Sequence, residues 1–383
     1  MHHSALAVAV SLLVTPVFAG QRPELRGTTR TYYIAADEVT WDYAPTGKNQ
    51  ITGEPFQMPE NIYAESAKDR IGRVYKKAIY REYTDETFRT LKPRAPGWEH
   101  LGIMGPLIRA EVGDTIRVVF KNNTAFPCTV HPHGVFYKKD SEGAPYNDGT
   151  LPREKKDDGV PPGEAHTYVW PVPERAGPAE HDGNTVLWMY HSHKSEEADV
   201  NAGLIGPMII STPGTTKPDL SPKDVDREFI VLFGEFDENL SWYIDENIKK
   251  YVGDPSSVKK PWGPTFIEPF GLSNLKETMN GFIYGHLQGL TMRVGERVRW
   301  YLMANTNFEV HSPHWHGNTV VANHMRTDVS PLLPMGMMVA DMVPDNPGIW
   351  FFHCHTGPHL TAGMQAVYTV LPKSGTTTAG SGR

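Results

Sequence analysis

The chain has 383 residues, and its 37 lysines and arginines against 44 aspartates and glutamates give a net charge of −7. That balance excludes the basic footprint of a nucleic-acid binder, and the length points to two ordinary domains, each able to bury a core. Its 35 glycines, 32 prolines and 21% charged residues indicate a turn-rich β protein rather than a helical one.

The first 19 residues contain an apolar run, Ala5 to Val14, followed by Pro16-Val17-Phe18-Ala19. Its length and small final residue predict a cleaved signal peptide at 1–19, although the n-region offers His2 and His3 instead of Lys or Arg. No other segment is long and apolar enough to span a bilayer. The mature protein is expected to be secreted or periplasmic.

Beyond residue 20 the chain repeats itself. Val112-Gly113-Asp114-Thr115-Ile116-Arg117-Val118 matches Val294-Gly295-Glu296-Arg297-Val298-Arg299-Trp300. Downstream come His131-Pro132-His133-Gly134 in one half and His314-Trp315-His316-Gly317 in the other. Each half then closes on a second pair, His191-Ser192-His193 or His353-Cys354-His355, and on Ala202-Gly203-Leu204 or Ala362-Gly363-Met364. The same landmarks in the same order indicate duplication. Short β-branched and aromatic runs (Thr115–Phe120, Thr167–Trp170, Phe229–Phe233, Gln365–Leu371) lie between turn residues. The expected fold is all-β: two Greek-key β-sandwich domains. The linker Thr212-Pro213-Gly214-Thr215-Thr216-Lys217-Pro218 separates a domain at 20–215 from one at 225–372, and the polar tail 373–383 is expected to be disordered. Ser221–Asp226 and Glu246–Tyr251 are expected to add short helical turns.

The stretch His353-Cys354-His355-Thr356-Gly357-Pro358-His359-Leu360-Thr361-Ala362-Gly363-Met364 concentrates the chemistry. Two imidazoles, a thiolate and a weak axial thioether make up a blue copper site; Cys354, His359 and Met364 supply three of these ligands, and His311 is available as the fourth. On a strand, Cys354 faces one side and His353 and His355 the other, so one peptide unit links two metal sites. The i, i+2 pairs 131/133, 191/193, 314/316 and 353/355 offer eight imidazoles, a set that suits several copper-like ions rather than one structural zinc. Cys354 lies inside a ligand motif, so no disulfide is expected, and Cys128 reads as a small buried residue.

These motifs, with Tyr32-Tyr33-Ile34-Ala35-Ala36-Asp37-Glu38-Val39-Thr40-Trp41-Asp42-Tyr43-Ala44-Pro45, His100-Leu101-Gly102-Ile103-Met104-Gly105-Pro106-Leu107-Ile108-Arg109-Ala110-Glu111 and Phe236-Asp237-Glu238-Asn239, resemble the two-domain multicopper oxidases and their ceruloplasmin–hephaestin branch, with laccase-like relatives. The resemblance implies cupredoxin-like domains and four coppers per chain. His311, Cys354, His359 and Met364 match the type 1 ligands; His131 and His314 match the type 2 ligands; His133, His191, His193, His316, His353 and His355 match those of the type 3 pair. The first half lacks its own blue site, because Ser192, Cys128 and Leu204 replace the Cys, the first His and the Met. The implied activity is one-electron oxidation of a substrate coupled to four-electron reduction of O2 to water, with Cys354, His353 and His355 as the electron route and Asp140, Glu142 or Asp148 supplying protons. The resemblance also implies a homotrimer with each cluster shared between neighbouring chains, one cluster within a monomer being the alternative, and a calcium site around Asp157-Asp158. Of three carboxylate or His positions that hold iron in ferroxidase relatives, Pro358 and Leu272 have lost the ligand and Glu277 keeps one. Phenols or aromatic amines therefore compete with reduced metal ions as substrate. Met335, Met337 and Met338 are read as core packing rather than a cuprous-ion site, and His100, His166, His181, His286 and His324 as structural. A copper nitrite reductase, with three interdomain His ligands and its blue site in the first domain, and a copper-free interaction module are the competing readings.

Overall fold

The computed structural model describes residues 27–258, 269–305 and 309–373. The expected signal peptide and the tail beyond Lys373 lie outside these residues.

The first half contributes β1 (Thr29–Asp42), β2 (Val74–Tyr83), β3 (Ile108–Glu111), β4 (Thr115–Asn122), β5 (His131–Pro132), β6 (Ala165–Pro171), β7 (Thr185–His191) and β8 (Ile205–Ser211). They form two sheets, ordered β2-β1-β4-β6 and β3-β8-β7-β5. The second half contributes β9 (Arg227–Asp237), β10 (Leu275–Met279), β11 (Thr291–Arg293), β12 (Val298–Ala304), β13 (Pro313–Trp315), β14 (Val320–Ala322), β15 (Met325–Thr327), β16 (Met337–Met342), β17 (Gly348–Cys354) and β18 (Gln365–Leu371). These order as β10-β9-β12-β16-β14-β15 and β11-β18-β17-β13. The halves share one topology: β1 runs parallel to β4 as β9 does to β12, and β7 pairs antiparallel with β8 as β17 does with β18. The repeated Val-Gly-acid motif makes the turn into β4 and into β12. Gly113 and Gly295 sit there at φ 101° and 83°, a conformation that glycine adopts without a Cβ clash.

Three apolar clusters hold the molecule together. Ile116, Val118 and Phe120 alternate into the first sandwich, and Val298, Trp300, Leu302 and Ala304 into the second. A third cluster joins the halves: Ile79, Met189 and Ile205 from the first meet Ile230, Leu232, Tyr301 and Met303 from the second. Strands β9 and β12 thus serve two cores, which explains their unbroken apolar runs. Buried polar contacts fix the relative placement of the halves. Lys77 pairs with Glu238, both fully buried, and Tyr43 Oη donates to Glu238 Oε1 at 2.5 Å. Arg109 Nη2 lies 2.8 Å from Glu228 Oε2, and Arg299 reaches Asp341, Asp224 and Thr185.

The expected strand runs all fall in strands, and Glu246–Tyr251 lies within a helix, Ile244–Tyr251. Ser221–Asp226 is not helical: Lys217 N–H donates to the Ser221 carbonyl and Thr216 bridges Pro222, which ties the segment back to the linker instead. Cys128 and Cys354 are free and buried. Asn122, in the sequon Asn122-Asn123-Thr124, is fully buried, with its amide nitrogen bonded to the carbonyls of Phe126 and Val160.

His100 locks the halves together, its Nε2 accepting the Ile230 amide at 3.2 Å, while Nδ1 lies 2.9 Å from the Gly97 carbonyl. Only the neutral ring can do this, and burial pushes its pKa down to about 4. The unfolded chain, near the ordinary 6.5, binds that proton first. Stability is therefore present above the unfolded value and lost as pH falls toward about 4. His100→Gln is expected to flatten the acid limb of the stability curve, whose wild-type loss through this group is up to about 3 kcal/mol. Chemical denaturation between pH 7 and 4 measures it, and an unchanged acid limb contradicts it.

Candidate metal centres

Strand β17 ends at Cys354, and the helical turn Gly357–Ala362 then swings His359 back over the thiol. His311 is held opposite by mutual backbone bonds with Leu332. Cys354 Sγ stands 3.5 Å from His359 Nδ1 and 4.0 Å from His311 Nδ1, and the two ring nitrogens are 3.2 Å apart. The Ser312 amide donates to the sulfur at 3.3 Å. The Met364 side chain is fully buried in the same core, and its carbonyl accepts the Cys354 amide at 3.2 Å. Burial, then the neighbouring His359, lowers the His311 pKa to about 3, and burial also lowers that of His359. Both rings are thus neutral at pH 7, the form in which imidazole binds a metal.

The remaining motif histidines form two sets. Pairing of His131 with His191 across β5 and β7 gathers His131, His133, His191 and His193, with ring centres 5.1 to 5.6 Å apart. Pairing of His314 with His353 across β13 and β17 gathers His314, His316, His353 and His355 at 4.5 to 5.6 Å. His133 Nε2 and His191 Nε2 are 3.1 Å apart, as are His316 Nε2 and His353 Nε2 at 3.0 Å. Burial lowers the pKa of His133 and His353 to about 4. Among the described residues, His314 Nδ1 is buried with no hydrogen-bond partner. Such crowded imidazoles, the second set with a thiol one residue away, suit copper. Among the described residues, no close group of candidate ligands mixes the two sets. Each is open to solvent on one side: His355 is exposed, and His133, His193, His314 and His316 are half-buried.

The acids lie differently from the sequence expectation. Asp140 is exposed, and Glu142 gives its carboxylate to Lys139 and Tyr146. Glu142 touches the first set through its carbonyl, 2.6 Å from His131 Nδ1. The carboxylates beside the rings are Glu196, 3.3 Å from His193 Nε2, and Asp328, 3.7 Å from His314 Nε2. Sequence reasoning missed both, although Glu196 is only three residues after His193. Glu277 is buried 3.9 Å from His359 Nδ1, and Glu235, on the paired strand β9, joins it. Glu309 Oε2 lies 3.7 Å from His359 Nε2. Burial raises the Glu277 pKa well above the usual carboxyl range and that of Glu235 to about 7. Where the first half would hold its own thiol site, Ser192 Oγ donates to Asp199 at 2.6 Å and accepts the Thr129 amide, beside buried Cys128 and Leu204. That polar plug has its bonds made.

Two family models, both described as multicopper oxidase, match residues 101–215 and 264–374. The chain belongs to the multicopper oxidase family. It is 44% identical to the ferroxidase HEPHL1 of Homo sapiens over 89% of this chain and 29% of that protein, and 41% identical to ceruloplasmin of Homo sapiens over 95% and 33%. The chain thus spans about a third of the length of the curated relatives it matches. A blue copper oxidase from Nitrosomonas europaea superposes with a TM-score of 0.56 at 18% identity, over 90% of this chain and 86% of that one, a likeness of fold.

Proposed function

We propose that this multicopper oxidase chain couples one-electron oxidation of a reduced metal ion to the four-electron reduction of O2 to water. One observation carries the reading. Cys354, in the thiol set, and His353 and His355, in an imidazole set, are consecutive residues whose side chains leave the backbone toward opposite sites. His311, Cys354, His359 and Met364 would hold a type 1 copper. His131 and His314 would hold a type 2 copper, and His133, His191, His193, His316, His353 and His355 a type 3 pair, four ions per chain. Bound copper supplies the one-electron redox chemistry. Burial favours the neutral ring at His131, His133, His191, His311, His314, His353 and His359, and the protein buries the thiol away from water and joins the two sites by one peptide unit. Glu196 and Asp328 stand where a proton can be held beside the rings, with Asp140 and Glu142 further out.

The two imidazole sets are separate within one chain and open outward, which supports a homotrimer in which one copy's first half completes its neighbour's second half. Asp157 Oδ1, buried and without a hydrogen-bond partner among the described residues, supports a calcium site. Secretion or periplasmic export follows from the leader-like N-terminus.

Glu235, Glu277 and Glu309 around His359 favour a metal-ion reductant over a phenol, because a hard ion such as Fe²⁺ prefers oxygen ligands. Glu277→Gln is expected to lower kcat/KM for Fe²⁺ about tenfold or more and to change phenol turnover less than about twofold. Parallel steady-state kinetics with Fe²⁺, Cu⁺ and a phenol decide; an equal loss on all three rejects the carboxylate site.

A further inference from the structure

On the side of the molecule where the first half's loop after residue 177 meets β14–β16, a cleft of about 910 Å³ opens between the halves. Two histidines outside every copper motif face each other there. His181 comes from the first half and His324 from the second, with ring centres 6.0 Å apart at 84°. Both are exposed, and among the described residues neither ring has a hydrogen-bond partner. Met335 and Met337, half-buried and packed on one side against the core that joins the halves, line the same cleft, as do Asp182 and Asp341. The third methionine of the run, Met338, is spent elsewhere: it is buried in the second core, and Ser330 Oγ lies 3.1 Å from its sulfur.

We propose that this cleft is a binding site for a soft monovalent ion, Cu⁺, held by His181 and His324, with the thioethers of Met335 and Met337 completing its surroundings. Two imidazoles on one ion at the usual metal–nitrogen distance of about 2.0 Å bring their ring centres to roughly 5–6 Å, close to the spacing seen. Thioethers bind Cu⁺ and are poor ligands for Mg²⁺ or Ca²⁺, so their presence selects the ion. The backbone adds a second observation. His324 ends the two-residue turn between β14 and β15 at φ 62°, where glycine is favoured, and Met335 sits at φ 54° in the next loop. Histidine is among the residues that tolerate this region, whereas Met335 is not the easy choice for its conformation, and both line the cleft. The site joins the two halves without sharing a residue with the centres described above, so it is suited to holding cuprous ion as cargo, apart from the catalytic copper.

The test is an anaerobic Cu⁺ titration of the copper-loaded protein, reduced beforehand with ascorbate so that its resident copper cannot oxidise the added ion, against a chromogenic Cu⁺ chelator, comparing wild type with His181→Ala, His324→Ala and the double variant Met335→Leu/Met337→Leu; the blue absorption of each variant is read separately in the air-oxidised form. Wild type is expected to take up one more Cu⁺ than either histidine variant. Each histidine variant should weaken that step by more than the roughly 10–100-fold that loss of an outer-shell partner costs. The methionine variant should weaken Cu⁺ while leaving Zn²⁺ binding at the histidine pair unchanged. Unaltered blue absorption in every variant shows that the main centres are intact, so failure here is separable from failure of the oxidase reading. Equal Cu⁺ uptake by wild type and both histidine variants overturns the proposal. Zn²⁺ and Cu⁺ binding that fall together in the methionine variant overturn the choice of ion.

Discussion

Cys354→Ser is expected to bleach the blue colour, lower bound copper by one ion per chain, and cut oxygen uptake below about one-thousandth of wild type, the scale on which loss of one member of a catalytic unit acts. The reason lies in the donor atom. The Cys354 sulfur is fully buried between two imidazoles held neutral, and it accepts the Ser312 amide. A serine oxygen is harder and remains protonated, so it cannot replace a thiolate on a soft site. The chain has no substitute: burial raises the Cys128 pKa, and it sits in the first-half core beside Thr124. The two four-imidazole sets lie outside the change, so their copper should remain. Metal analysis with absorption spectra and an oxygen electrode reads all three quantities. Sustained oxygen uptake with the colour gone means that electrons do not travel by way of Cys354.

What made the centres legible in the sequence was period and repetition. An i, i+2 spacing in extended backbone brings both rings of a pair to one face, and pairing of β5 with β7 and of β13 with β17 then brings two pairs together. The duplicated Val-Gly-acid motif exposed the two-sandwich plan, because a turn that needs a positive φ constrains the residue types that can fill it. The separation of the two sets within one chain was not visible as geometry, since nothing local in a strand encodes which distant edge it will face.

The carboxylates show where reading a sequence stops. Glu277 was found because it sits at a family-like position, whereas its neighbours came from tertiary structure alone. Glu235 reaches it because β9 pairs with β10 in the register Glu277 to Glu235, and Glu309 reaches His359 through a loop. A one-residue slip of β10 would turn Glu277 to the other face, so no one-dimensional pattern fixes this cluster. The same holds for Glu196 and Asp328, which were hidden among ordinary loop acids. The methionines add a further case: expecting core packing was correct for Met338 in the second core and for Met335 and Met337, which pack against the core between the halves, yet the latter two also line a cleft that forms only when the halves meet.

Two inactive variants are expected to restore each other. His133→Ala/His191→Ala removes ligands from the first half's set, and His314→Ala/His316→Ala from the second's. Each variant alone should keep its blue colour, because His311, Cys354, His359 and Met364 are untouched, yet should reduce no oxygen. If a neighbouring copy completes each centre, a co-assembled equal mixture contains interfaces where an intact first half meets an intact second half. Random assembly of a closed ring makes these roughly a quarter of all interfaces, so roughly a quarter of wild-type oxygen uptake should return. A centre built within one chain allows no such recovery, since every chain in the mixture carries one broken set. Recovery should also need the two proteins to be refolded or expressed together, because mixing preformed rings exchanges nothing. Absence of recovery in a co-expressed mixture of confirmed trimers would place all eight imidazoles of each centre in a single chain, against the outward-facing separation of the two sets.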